Sequence, residues 1–210
     1  MFKSNNITVN LENLKEDGRE ALMKLIEKSQ RKSKDMCELS EIEIGDTFKI
    51  GDITFIKFAE KDGIAEAVSK DILFTSQFGS DNNFEDSTVL SKLTKEVLPK
   101  IEKEIGKSAI CSINTDLTTL DGLKNYGVLN SKISLPTLDY YREHVEIFDK
   151  YKIDRWWWLA TADSAKPHCS PNWVLCVSPS CDFSYSIYDL NFGVRPFLRF
   201  VSSISVSREE

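Results

Sequence analysis

Trp156-Trp157-Trp158-Leu159-Ala160-Thr161 opens the last third of the chain, and Gly193-Val194-Arg195-Pro196-Phe197-Leu198 closes it. A tryptophan can bury roughly 150–250 Å², so three in succession commit a strand to the interior. Strand alternation places Trp156 and Trp158 on one face and Trp157 on the other. At most one of the three is expected to turn outward, and the GVRPFL strand is expected to lie close to the tryptophan strand. Between these bookends the chain is rich in Ser, Asn, Asp, Cys, Tyr and Phe and contains no Glu. Such mixtures combine adaptable hydrogen bonding with rigid contact area. The composition points to recognition rather than chemistry.

Towards the N-terminus the pattern is one of strands, then helices. Residues 45–58, GDTFKIGDITFIKF, alternate apolar and polar on both sides of Gly51-Asp52 and read as a hairpin. A third strand, Ile64 to Val68, follows the turn Glu60-Lys61-Asp62-Gly63. The spacing of Val89, Leu90, Leu93, Val97, Leu98 and Ile101 predicts a helix from Ser87 to Ile105, kinked or divided at Pro99. Residues 111–135 read as loop-rich. A second helix is expected over Pro136 to Phe148, with Ser134 as its N-cap. Strands are then expected at Trp156–Ala160, Trp173–Val177, Phe183–Ile187 and Phe197–Val206. Strands, helices and strands again, without βαβ alternation, indicate an α+β fold of antiparallel strands.

The first forty residues stand apart. From Asp17 to Lys34 the sequence is helical in type, with Asp17 and Glu20 as a capping pair and Ala21, Leu22, Leu25 and Ile26 as a narrow apolar stripe. The stripe packs on the main domain in one reading. In the other it pairs two copies of the chain as a short self-association helix. The expected division is residues 1–40 as a helical extension and 41–210 as the main domain.

Within 210 residues the net charge is −6, which disfavours direct binding of nucleic acid or an anionic membrane and suits a basic partner. Five cysteines (Cys37, Cys111, Cys169, Cys176, Cys181) form no CxxC pair, and no run has the length of a membrane helix. Free thiols in a reducing cytoplasm are the expectation.

The WWWLAT and GVRPFL segments resemble a domain family of Gram-positive bacteria and their phages, whose members share a Trp-Trp-Leu strand and a terminal Gly-Val-Arg-Pro strand. Asp116–Gly122 and Ile133–Leu138 are also similar to members encoded by prophages, so the likeness spans residues 43–206. The resemblance implies a scaffold of the C-type-lectin-like and formylglycine-generating-enzyme-like kind, in which the two strands frame a variable loop region. Some proteins on that scaffold are diversified at surface positions, and residues 180–192, SCDFSYSIYDLNF, have a composition that suits this. Where family members carry Arg-Ser-Pro after the tryptophan strand, this chain has Ala160-Thr161-Ala162.

Chemistry finds weaker support. His168, Cys169, Cys176 and Cys181 lack the paired spacing of a zinc site, and adjacent His168 and Cys169 would point to opposite faces of a strand. His144 and His168 are the only histidines available as general bases, and no nucleophile elbow is present. Asp116 and Asp121, or Asp139 and Glu143, are paired carboxylates, but the surroundings of the first pair offer few of the oxygens calcium needs. Lys92, Lys95, Lys100, Lys103 and Lys107 are interspersed with Glu96, Glu102 and Glu104, as on a solvated ion-pair face. Arg195 either clamps an anion near the loops or stacks on a tryptophan and ties the loop bases together.

The sequence therefore predicts a non-enzymatic interaction protein of phage or prophage type, with no cofactor and no metal. His168, Asn172, Phe183, Tyr185, Tyr188, Asn191 and Phe192, in the loops spanning 168–172 and 182–192, are its expected partner-binding residues. The expected partner is a protein, such as a host defence nuclease complex inhibited in the anti-CRISPR manner, in the host cytoplasm. The alternatives are a tail-associated receptor- or glycan-binding protein acting from the virion, and a metal-dependent enzyme of the formylglycine-generating type.

Overall fold

The structure, a computed structural model, describes residues 36–165 and 172–209 together with Gly18, Glu20 and Met23. The chain divides into two units between Met36 and Cys37. In the first unit Gly18, Glu20 and Met23 are helical; the remainder of the helix expected over Asp17–Lys34 lies outside the described residues. The second unit is a mixed α+β domain, mostly antiparallel strands with few helices. It takes in residues N-terminal to position 41, because Leu39 is fully buried and its N–H donates to the Ile204 carbonyl at 2.9 Å.

The expected hairpins form where the turn residues allow them. Strands β2 (Thr47–Ile50) and β3 (Ile53–Lys61) pair across Gly51, which takes φ +58°. β3 then pairs with β4 (Ile64–Ser69) across Asp62-Gly63, both in the left-handed region, as a type I′ turn requires. With β1 (Met36–Glu38), β6 (Ile110–Cys111), β13 (Phe197–Val201) and β14 (Ser205–Arg208) they make a seven-stranded sheet in the order β1-β14-β2-β3-β4-β13-β6. The long C-terminal strand expected over 197–206 is thus two strands at different places in one sheet. A second sheet has the order β11-β10-β9-β12-β5, from β5 (Phe74–Ser76), β9 (Trp157–Ala162), β10 (Trp173–Val177), β11 (Phe183–Ile187) and β12 (Phe192–Val194). A small hairpin joins β7 (Ile113–Asp116) to β8 (Val128–Ser131).

The helices are shorter than the periodicity suggests. Ser87 caps α1 (Thr88–Lys92) by accepting from the Leu90 N–H at 3.0 Å. A π-helical turn, Leu93–Val97, then leads into α2 (Leu98–Ile105), with Pro99 in its first turn. Pro99 has no N–H to donate to the preceding turn, and the wider turn accommodates that loss. The second expected helix is likewise two, α3 (Leu138–Glu143) and α4 (Val145–Lys150). Its N-cap is Thr137, not Ser134: the Thr137 hydroxyl accepts from the Tyr140 N–H at 3.2 Å. Ser134 instead forms an isolated bridge with Phe197.

β9 organises the interior. Trp158 and Ala160 enter one hydrophobic cluster with Phe48, Phe55, Phe78 and Phe200. Trp157 and Leu159 enter another with Phe58, Tyr141, Phe148 and Leu175. Both faces of the strand are therefore covered, which is why three tryptophans can follow one another there. Trp156 and Trp158 share a face, each packing on Phe192 at 5.7 and 4.5 Å between ring centroids, and Trp156 alone is substantially exposed. The GVRPFL segment does lie beside β9: Gly193 pairs in parallel with Trp157. A Cβ on Gly193 would collide with Ile72 Cδ1 and stand 2.6 Å from its Cγ1. Gly193→Ala is accordingly expected to cost about 1–3 kcal/mol through overpacking, read as a lower urea midpoint. An unchanged midpoint would mean that Ile72 moves aside freely.

Candidate functional site

The β10–β11 hairpin is built by register and then fixed by its turn. Trp173 pairs with Ile187, Leu175 with Tyr185 and Val177 with Phe183, so all six side chains share one face. The turn closes through the Cys181 N–H donating to Ser178 C=O at 3.0 Å and the Ser180 hydroxyl to Asp182 Oδ2 at 2.8 Å. Cys181 adopts φ +64° there. The Tyr141 hydroxyl on α3 donates to the Cys181 carbonyl, and the Cys181 thiol points to the Phe148 carbonyl on α4 at 3.6 Å. These contacts hold the hairpin against both short helices.

That helical cover stops half-way. Leu175 and Val177 are buried with Trp157, Tyr141 and Phe148, but their partners on β11 extend past the cover. Phe183 is 45% exposed, Tyr185 58% and Trp173 42%. Trp173 meets Tyr185 edge-on at 5.5 Å, and the Arg142 guanidinium stands 5.1 Å over the Phe183 ring. Val145 extends the apolar area, and a recess of about 330 Å³ lies between α3, the turn and Phe183. β11 is an edge strand among the described residues, so the aromatic strip lies beside an unextended row of backbone donors and acceptors. Exposed aromatics held rigidly in this way are the side chains that dominate binding energies.

The residues expected from sequence part company here. Phe183 and Tyr185 stand on this face, on a strand rather than in a loop. Asn191 is exposed elsewhere on the return to β12. Tyr188 and Phe192 are half-buried against the main cluster, Phe192 between two tryptophans. Asn172 is half-buried, and its carbonyl accepts from the Tyr188 N–H at 3.0 Å. His168 lies outside the described residues. Trp173, Arg142 and Val145 join the strip without having been expected. For Trp173 the signal was present, since it opens a strand in phase with Leu175 and Val177.

The remaining reactive groups are arranged as structure. Cys176 is fully buried, and burial pushes its thiol up to about 12; burial also raises Cys181, so neither is a ready thiolate. Burial lowers His144, which packs 4.5 Å from Tyr140 and 5.5 Å from Phe58. Asp116 accepts from both the N–H and the hydroxyl of Thr118, and Asp121 from the hydroxyls of Ser164 and Thr119, which hold both carboxyls below the ordinary range. Among the described residues no three His, Cys, Asp or Glu side chains converge on a metal position. No described helix is long and apolar enough to cross a membrane. Arg195 is buried between Trp157 and Phe148, with its guanidinium carbon 4.9 and 5.5 Å from their rings. It ties Ser69 to the sheet crossing rather than facing a ligand. No protein-family model, curated protein or solved structure matches the chain.

Proposed function

We propose that the protein is a non-enzymatic interaction protein of phage or prophage type that holds a macromolecular partner on the Trp173–Phe183–Tyr185 strip. The observation that carries this reading is three aromatic side chains on one face of the β10–β11 hairpin, two of them on the edge strand β11, each more than two-fifths exposed and oriented by buried neighbours. A lectin-like arrangement is the scaffold in this reading, supported by the adjacency of the first and last strands in one sheet and of the WWWL and GVRP strands in the other. The partner is a soluble host protein with a basic surface, such as a defence nuclease complex whose nucleic-acid face is covered, and the net charge of −6 suits that approach.

Phe183→Ala with Tyr185→Ala is expected to reduce partner capture from host lysate about tenfold or more, while the melting midpoint moves by only a few degrees because both side chains are half-exposed. Tyr188→Ala is a poor probe, since removing a half-buried ring would also loosen the core. Undiminished capture by the double variant would sink the assignment. Saturable attachment to intact cells, without enrichment of a soluble complex, would replace it with receptor binding.

A further inference from the structure

Next to the aromatic recess along α3 lies a larger cleft of about 530 Å³, and Arg142 borders both. Its walls are apolar, from Ile113, Leu138 and Phe197, with Leu120 40% exposed at the rim. Its polar groups are unevenly charged. The carboxylates Glu66, Asp116, Asp139 and Glu143 face the guanidiniums of Arg142 and Arg199, four negative charges against two positive. Arg142 lies 3.5 Å from Asp139, and Arg199 Nε lies 3.3 Å from Glu66 Oε1 without the alignment of a hydrogen bond. Glu143 and Asp116 have no cation among the lining residues, although Lys124, outside the lining, helps to lower Asp116. Thr118 uses Asp116 Oδ1 and leaves Oδ2 without a hydrogen bond among the described residues.

The Tyr140 hydroxyl, among the lining residues, is the second pointer. Its oxygen is buried beside the Glu66 carboxylate, its one candidate acceptor among the described residues, and meets it without good hydrogen-bond geometry. Burial, followed by the neighbouring charge of Glu66, raises its pKa and keeps the phenol protonated. A buried polar atom left unpaired calls for a bound water, ion or ligand group. An apolar-walled cleft with surplus carboxylates and under-used polar atoms has the chemistry of a socket for a long basic side chain. The stem packs on Leu and Phe while the cationic head meets the carboxylates.

We infer that this cleft binds an arginine or lysine side chain presented by a partner polypeptide. Glu143 and Glu66 hold the cationic head, Tyr140 contributes its hydroxyl, and Leu120, Leu138 and Phe197 flank the stem. The cleft is a second contact, separate from the aromatic strip, and its test separates the two. The probe is acetyl-Gly-Gly-Arg-Gly-Gly-amide, with the same peptide carrying citrulline as an uncharged isostere, titrated into the full chain by amide NMR. The arginine peptide is expected to give saturable shifts at Asn114, Thr118 and Leu120 that weaken with salt, and citrulline to bind about tenfold more weakly or worse. Glu143→Gln, at an exposed position that spares the fold, should weaken arginine binding several-fold, as should Tyr140→Phe. Phe183→Ala with Tyr185→Ala should leave it unchanged. Equal binding of citrulline, no saturable shift at millimolar peptide, or full affinity in Glu143→Gln would each overturn the assignment.

Discussion

Lys57→Met is expected to lower the stability of the domain by about 3–5 kcal/mol, the range for breaking a buried, hydrogen-bonded charge. Lys57 lies on β3 and is 2% exposed. Its ammonium donates to the Leu39 carbonyl at 3.0 Å and the Ile42 carbonyl at 2.6 Å, and pairs with the Glu60 carboxylate. All three ammonium protons therefore have acceptors. Methionine fills the volume but leaves the buried Ile42 carbonyl without a donor, at about 1–3 kcal/mol. It also reduces the Leu39 carbonyl to its bond from the Ile42 N–H at 3.2 Å, strips Glu60 of its ammonium partner, and frees the 3₁₀ turn Leu39–Glu41 that leads towards β2. The acid limb should change as well. The hydrogen bond from Lys57, and then the nearby Ser202 hydroxyl, hold Glu60 below its ordinary pKa. Its contribution is present above the ordinary carboxyl range and lost as pH falls through the lowered value. In Lys57→Met that loss should shrink. Urea unfolding from neutral to acid pH reads both effects, and a variant as stable as the parent at neutral pH would refute the assignment.

Arg195 should behave differently. It is 1% exposed; among the described residues its Nε donates to the Ser69 carbonyl at 3.0 Å, while one terminal nitrogen is buried without a partner. Burial lowers its pKa to about 10, so the site works against its own charge at neutral pH. Arg195→Ala is expected to cost about 3–5 kcal/mol, because a cavity opens between Trp157 and Phe148. Arg195→Met, which keeps the volume and discards the charge, should stay within about 1.5 kcal/mol of the parent. The pH dependence has a definite sign. A base with a lowered folded pKa binds fewer protons folded than unfolded in alkali, so its charge penalty is full below about pH 10 and eases as pH rises further. The parent should therefore gain on Arg195→Met in alkali. Equal losses for Ala and Met would show that the guanidinium itself, not its volume, supports the sheets.

How much of this was legible depended on whether the cause was local. Asp62-Gly63 and Gly51 mark their turns wherever they occur, and both hairpins form as expected. The phase of Trp156 and Trp158 was also legible, because alternation is local. That β9 is covered on both faces was not, since its second cover comes from α3 and α4. The short strand β5 escaped notice, being three residues long and defined by its pairing with β12, and so did the break that makes the expected GVRPFL strand two, β12 and β13. For the candidate site, composition marked residues 180–192 as a region rich in Tyr, Phe and Ser. It could not distinguish Tyr185, which extends past the helices, from Phe192, which packs under Trp156 and Trp158. The acidic cleft draws on segments around residues 66, 113–120, 135–143, 161 and 197–199, and no linear pattern unites them.

The place of β14 has a consequence for how the chain acquires its fold during synthesis. It lies between β1 and β2 in the sheet order although it is made after every other strand of the two sheets. While residues 36–50 emerge, the strand that will separate β1 from β2 has yet to be translated. Their nascent edges must wait through the whole of both sheets, or be shielded, until Arg208 clears the ribosome. Such closure of distant segments is the slow kind. A pause or truncation before Ser205 should thus leave an open pair of edges that invites chaperones and aggregation.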